Sequence, residues 1–225
     1  MSSGARLICR AILLAMLLAL ASSMAEAQEL RFFRIATGSA AGTYFPIGAV
    51  IASVISSPPG SPQCEAGGAC GVPGLVAVAQ TSEGSVANVL AVTNGLVDSG
   101  LAQADVVHWA FSGEGLYFRN NPRPNLRVIA NLYPESLHLV VRKGSGIERI
   151  RDLVGKRVSL DKPGSGTRVN AEIVLAAYGV APGQIKLMEI DPGRATDLLL
   201  SGGLDAFFLI AGYPAPAVTD LAATG

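Results

Sequence analysis

The hydrophobic positions of this chain change period several times. Residues 32–37 are strand-like and end at Gly38. Thr43 then offers an N-cap, and Tyr44, Ile47, Ile51, Val54 and Ile55 recur at helical spacing until Pro58. A loop rich in Pro, Gly and Ser covers 57–73, and an apolar run of strand length follows at 75–79. Ser85 caps a helix with Val86, Val89 and Leu90 on one face, which Gly95 closes. Residues 100–103 read as a short strand and 105–111 as a helix. Two β-like runs, 126–132 and 137–141, are separated by Tyr133-Pro134-Glu135-Ser136, a candidate boundary between two lobes. Beyond them come a strand at 157–160, a Gly-rich turn at 163–167 and a helix at 168–178 that Gly179 ends. A strand at 185–190, a helix at 195–200 and a strand at 204–210 complete the pattern. Alternating strands and helices predict α/β layers with mostly parallel sheets. Parallel strands are buried on both faces and read as continuous apolar runs, as Phe207-Phe208-Leu209-Ile210 does.

The N-terminus follows a different rule. Arg6 and Arg10 precede an uncharged run, and its most apolar part, 11–21, is shorter than the about 20 residues a bilayer span needs. Ala25-Glu26-Ala27 then supplies small residues around a cleavage point. Together these read as a secretory signal peptide, residues 1–27, cut before Gln28, rather than an N-terminal anchor. The cleaved chain is exported, which places it in the periplasm. No later segment has the pattern of a transmembrane helix, because Pro46, Pro58 and Pro59 interrupt the uncharged stretch 35–64.

Composition narrows the function classes. Of 225 residues, 50% are hydrophobic and 15% charged, with 17 basic against 17 acidic side chains. That balance excludes a disordered chain and gives no basic footprint for nucleic acid. Cys9 leaves with the signal. Cys64 and Cys70 remain in a Gly-rich loop, and in an oxidising compartment they read as a disulfide. A metal site lacks a nearby His, since His108 and His138 are distant in sequence.

Three loops share one design, in which a strand end is followed by small residues and a helix start. They are 37–44, 81–85 and 163–167. A helix N-terminus presents unpaired N–H groups and a partial positive charge, so it suits an anion. In open α/β sheets such loops lie at the carboxyl ends of strands, where ligands bind. Enzymatic motifs are missing. Gly164-Ser165-Gly166 lacks the outer glycines of a nucleophile elbow, and Gly155-Lys156 is followed by Arg157 instead of the Ser or Thr of a P-loop. His108 and His138 read as packing or surface residues. Tyr44 and Tyr213 could each hydrogen-bond a ligand.

At these loops the chain resembles the TAXI family of extracytoplasmic solute receptors, the binding component of TRAP transporters. The carrying residues are Thr37-Gly38 through Gly42-Thr43-Tyr44-Phe45-Pro46, Gly84-Ser85-Val86-Ala87-Asn88 and Gln103-Ala104-Asp105-Val106. Further on they are Leu132-Tyr133-Pro134-Glu135, Asp152-Leu153-Val154-Gly155-Lys156, Gly164-Ser165-Gly166-Thr167-Arg168 and Ala211-Gly212-Tyr213-Pro214. The resemblance implies a type II periplasmic-binding-protein fold, with two lobes (28–134 and 135–225), a hinge and a cleft. It implies capture of a small carboxylate, glutamate-, glutamine- or dicarboxylate-like, for a TRAP-type membrane permease, without catalysis, cofactor or metal. A module feeding a signalling receptor is the alternative. Thr37, Gly38, Ser39 and Tyr44 would form one wall, with Ser85, Asn88 and Gln103 from the same lobe. Ser165, Gly166, Thr167 and Arg168 would close from the other, Arg168 pairing with a carboxylate. Family members run further than this sequence. The resemblance therefore implies a missing return segment to the first lobe, and apolar surface exposed where it would pack.

Overall fold

The computed structural model describes residues 29–224; the expected signal peptide lies outside them. The first sheet is built from β1 (Arg31–Ala36), β4 (Leu75–Gln80) and β5 (Ser99–Gly100), all parallel, in the order β4-β1-β5. Helix α1 (Tyr44–Ile55) packs on it through Ile47, Ile51 and Ile55, against Ile35, Leu101 and Ala77. A small parallel pair, β2 (Ser56–Ser57) with β3 (Val72–Pro73), flanks the exposed loop that carries the Cys64–Cys70 disulfide. Helices α2 (Ser85–Thr93), α3 (Ala104–Ser112) and the single turn α4 (Gly115–Phe118) enclose a second cluster around Val86, Val89, Val106, Ala110 and Phe118.

The second sheet has the order β6-β9-β7-β8: β6 (Ser136–Val141), β7 (Arg157–Ser159), β8 (Lys186–Met188) and β9 (Ala206–Ala211). Only β6 runs antiparallel to its neighbour. The sequence of β9 shows why this sheet has helices on both faces. Side chains alternate along a strand, and here both sets are apolar. Ala206 and Phe208 meet α5 (Gly166–Ala177) through Ala171 and Leu175, while Phe207, Leu209 and Ala211 meet α6 (Pro192–Leu200) and α7 (Pro216–Thr224). Phe207 and Phe208 are fully buried, and each stabilises the fold by about 1.5–3 kcal/mol.

One expected strand is absent. Residues 126–132 have strong β propensity but join no sheet among the described residues, and Val128 and Ile129 are 72% and 86% exposed. A strand exists only through pairing, and no described strand lies alongside this segment to accept its hydrogen bonds. Pro122, Pro124 and Pro134 reinforce the irregular path. Residues 119–135 thus form an extended connection between the two sheets.

Candidate functional site

The three small-residue loops converge on one cleft between the two sheet units. It is lined from one side by Gly38, Ser39, Thr43, Tyr44, Glu83, Gly84, Ser85 and Gln103, and from the other by Asp161, Lys162, Ser165, Gly166, Thr167 and Asp191. Each loop leaves a strand and opens a helix: β1 leads to α1, β4 to α2 and β7 to α5. The caps differ in a way that matters for charge. Ser165 caps α5 by accepting from the Arg168 N–H at 3.0 Å. Neither Thr43 of α1 nor Gly84 of α2 makes a side-chain cap bond. The α1 and α2 starts on the first wall thus lack side-chain caps, and in the first turn of α2 the Ala87 N–H is taken instead by Gly164 O of the facing wall.

Thr43 is diverted from the capping role that its position predicts. Its Oγ1 accepts from Gly212 N at 3.1 Å and from the Tyr133 hydroxyl at 3.2 Å, tying α1 to the connection and to the end of β9. Beside it, the Tyr44 hydroxyl donates to Glu135 Oε2 at 2.9 Å and lies 3.3 Å from Ser85 Oγ. Ser85 Oγ in turn accepts from Gln103 N at 3.1 Å. Burial pushes the Tyr44 phenol well above its ordinary pKa, so it stays a donor. Burial also raises Glu135 to about 7, against the opposing bond from Tyr44.

The two walls touch. Ala87 N donates to Gly164 O at 3.0 Å, Lys162 Nζ lies 3.4 Å from Glu83 Oε1, and Asn170 Nδ2 donates to Asp105 Oδ2 at 2.8 Å. Gly84 and Gly166 permit this approach. Gly84 has φ 115°, and a Cβ there would lie 3.2 Å from Ser165 Cα. A Cβ on Gly166 would overlap Gln103 Oε1. The remaining cavity is about 50 Å³, well below the roughly 300 Å³ of a typical small-molecule pocket, so the walls leave little space between them.

Of the eleven predicted site residues, the cleft gathers Gly38, Ser39, Tyr44, Ser85, Gln103, Ser165, Gly166 and Thr167. Three lie elsewhere. Asn88 is buried and its amide is consumed internally. Nδ2 donates to Thr37 O at 2.6 Å and Leu101 O at 2.7 Å, and Oδ1 accepts from Ser82 Oγ at 2.6 Å. Thr37 is fully buried, with its Oγ1 donating to Gln80 O at 2.7 Å. Both shape the first loop without lining the cleft. Arg168 points away, because Glu172 and Glu189 take its guanidinium, the latter at 3.0 Å. The other candidates are remote. Tyr213 is 94% exposed, and His108 sits on the surface 3.7 Å from Glu114. Among the described residues, no group of His, Cys, Asp or Glu is placed to hold a metal ion, and no helix is long and apolar enough to cross a membrane.

Sequence reasoning passed over the charged lining. Asp161 has a left-handed backbone (φ 71°), which Asp tolerates, held by Ser159 Oγ accepting from Asp161 N at 3.1 Å. Its Oδ1 accepts from Lys162 N at 2.8 Å. Burial raises its pKa to about 7, helped by the negative charge of Asp191. Asp191 is the N-cap of α6, with Oδ1 accepting from Gly193 and Arg194 N–H groups. The Asp-Pro start of that helix was a readable signal.

Three solved structures are similar to this chain. A protein from Bordetella bronchiseptica RB50 is 19% identical, with a TM-score of 0.58 over 89% of this chain and 56% of its own. An ancestral arginine-binding protein bound to glutamine is 17% identical, with a TM-score of 0.50 over 87% of this chain and 76% of its own. The alkanesulfonate-binding protein SsuA from Xanthomonas axonopodis pv. citri, bound to MOPS, is 17% identical, with a TM-score of 0.47 over 80% of this chain and 55% of its own. The chain thus spans little more than half the length of the first and third of these. The fold is that of periplasmic binding proteins, mixed α/β with mostly parallel sheets. A family model described as "NMT1-like family" matches residues 35–225, and the chain therefore belongs to the NMT1-like family.

Proposed function

We propose that this chain is a solute-binding protein of the periplasm, not an enzyme, that captures a small organic carboxylate by closing two lobes about a hinge. The lobes are 28–134 and 135–225, and the hinge lies where Tyr133 and Glu135 meet Thr43 and Tyr44. The bound solute is passed to a membrane transporter, of the TRAP type that the TAXI resemblance implies. The observation that carries this reading is the convergence of the α1, α2 and α5 N-termini, with the Ser39, Ser85, Ser165 and Thr167 hydroxyls, on one narrow cleft between two sheet units. Backbone N–H groups and hydroxyls at helix starts hold a carboxylate without needing a basic side chain. No histidine or cysteine lines the cleft among the described residues, which favours binding over turnover. The neighbour bound to glutamine supports the reading by showing that its fold holds a small carboxylate-bearing solute.

Calorimetric and thermal-shift titration of the purified chain against amino acids and mono- and dicarboxylates tests this. Saturable binding of at least one carboxylate, with a raised Tm, is expected. A panel in which none binds overturns the proposal.

A further inference from the structure

The outer strand of a sheet leaves backbone groups unpaired along its open side, and folds usually blunt such edges. In the two main sheets the edge strands are β4, β5, β6 and β8. Strand β5 is two residues long, and β8 is three residues long and opens on Lys186. The outer side of β4 meets Ser56, whose Oγ accepts from Ala77 N at 2.8 Å. Strand β6 has no such protection. Its six residues, Ser-Leu-His-Leu-Val-Val, include no charged residue, Gly or Pro. Arg142 N donates to Asp205 O at 2.9 Å, in step with the antiparallel register of β6 on β9. Backbone groups alternate sides along a strand, so His138 and Val140 turn theirs toward β9, and Leu137, Leu139 and Val141 turn theirs outward. Among the described residues, no other backbone group bonds these three. Leu137 and Val141 are 40% and 38% exposed.

We propose that the open side of β6 pairs with β6 of a second copy of this chain, antiparallel across a two-fold axis at Leu139, so that two four-stranded sheets become one. Charge selects this occupant and this direction. The nearest charged residues are Glu135 before the strand and Arg142 and Lys143 after it. Pairing Leu139 with itself sets Leu137 opposite Val141, and Glu135 opposite Lys143, of the second copy. Glu135 Oε2 takes the Tyr44 hydroxyl, and Oε1 has no bond among the described residues. Lys143 is exposed, and Arg142 stays with Asp205. A parallel copy would instead set Glu135 against Glu135 and Lys143 against Lys143. The antiparallel ladder forms about six backbone hydrogen bonds. Leu137, Leu139 and Val141 share one face, on which Leu139 already packs against the cluster of Leu160 and Phe208, so the apolar row continues across the axis. Each copy offers one such edge, and the assembly closes at two.

Sedimentation velocity and residue-resolved amide exchange on the purified chain test this. The weight-average mass is expected to rise with concentration toward twice that of the monomer. As it rises, the amides of Leu137, Leu139 and Val141 are expected to gain about tenfold protection or more, while those of His138 and Val140 are protected throughout. Leu137→Pro removes an outward donor and no bond to β9, so it is expected to keep the chain monomeric with little change in Tm. If that variant fails to fold, Leu137→Lys replaces it, placing a charge on the edge. Lys143→Glu sets two acidic groups together and is expected to weaken the dimer severalfold. A chain that stays monomeric up to about 1 mM overturns the inference. So does a dimer that survives the Leu137 variant, or one in which the Leu137, Leu139 and Val141 amides stay unprotected. Growth beyond two copies overturns the two-fold closure.

Discussion

Glu135 carries its proton into the neutral range because burial penalises its charge more than the Tyr44 hydroxyl relieves it. Its folded pKa, about 7, lies above the value near 4.3 of an unfolded glutamate. The folded chain therefore holds the extra proton between those limits. The stabilisation is complete below the lower value and is lost as pH rises toward the upper one. Glu135→Gln keeps an acceptor for Tyr44 and removes the titration. The melting temperature of the variant should gain on the wild type by a few degrees, of the order of 1 kcal/mol, between pH 5 and pH 8. A gap that stays constant across that range would show that Glu135 does not titrate there. Only part of this residue-scale chemistry was legible. Ser85 and Tyr44 were marked by their place at helix starts, but the use of Asn88 and Arg168 depended on neighbours far away in sequence. Thr37, 51 residues away, accepts from the Asn88 amide, and Glu189, 21 residues away, takes part of Arg168.

At the scale of elements, one carboxylate aligns three strands. Asp205, just before β9, accepts from Arg142 Nη2 at 2.9 Å beyond the end of β6. It also accepts from Arg157 at the start of β7, through Nη2 at 2.7 Å, Nε at 3.0 Å and N at 2.9 Å. These bonds hold the Asp205 carboxyl well below the usual carboxylate range. Its contribution is present above the unfolded value, near 3.9, and is lost as pH falls toward the folded one. Asp205→Asn should cost about 2 kcal/mol at neutral pH, discounted because both arginines are one-third exposed. Urea denaturation should show that difference narrowing below about pH 4. A difference that grows on acidification would assign the cost to packing instead. Element types were largely readable because apolar period reports them, as in α1 and β9. The segment 126–132 shows the limit, since its propensity is β-like but pairing is a tertiary event.

Closure belongs to the whole molecule. Gly166→Ala places a methyl group onto Gln103 Oε1 and 2.8 Å from Ser85 Oγ, across the cleft from its own helix. Either the Gln103 and Ser85 side chains give way or the two walls part, and scattering distinguishes the two. Alanine at a helix start does not harm α5 itself, so the melting temperature should hold within a few degrees. Small-angle scattering should report a larger radius of gyration, and affinity for any bound carboxylate should fall about tenfold or more. An unchanged radius with unchanged affinity would show that the closed contact is not needed for binding.

The α/β class, the order of most elements, the disulfide loop and the three helix-start loops were determined by the sequence alone. Each rests on contacts between residues near one another along the chain, such as apolar period, caps and turn residues. The tertiary structure decided which of those loops face one another, that Glu83, Asp161 and Asp191 make the lining acidic, and that Asn88 and Arg168 are spent on internal bonds. The Asn88–Thr37 and Arg168–Glu189 bonds join residues 51 and 21 apart, and the facing loops bring together residues farther apart still. Such pairs leave no local pattern, whereas Arg168–Glu172 is a local i,i+4 pair. The charge balance of a chain is a sum over its whole length, whereas the field in a cleft depends only on the few groups that the fold turns toward it.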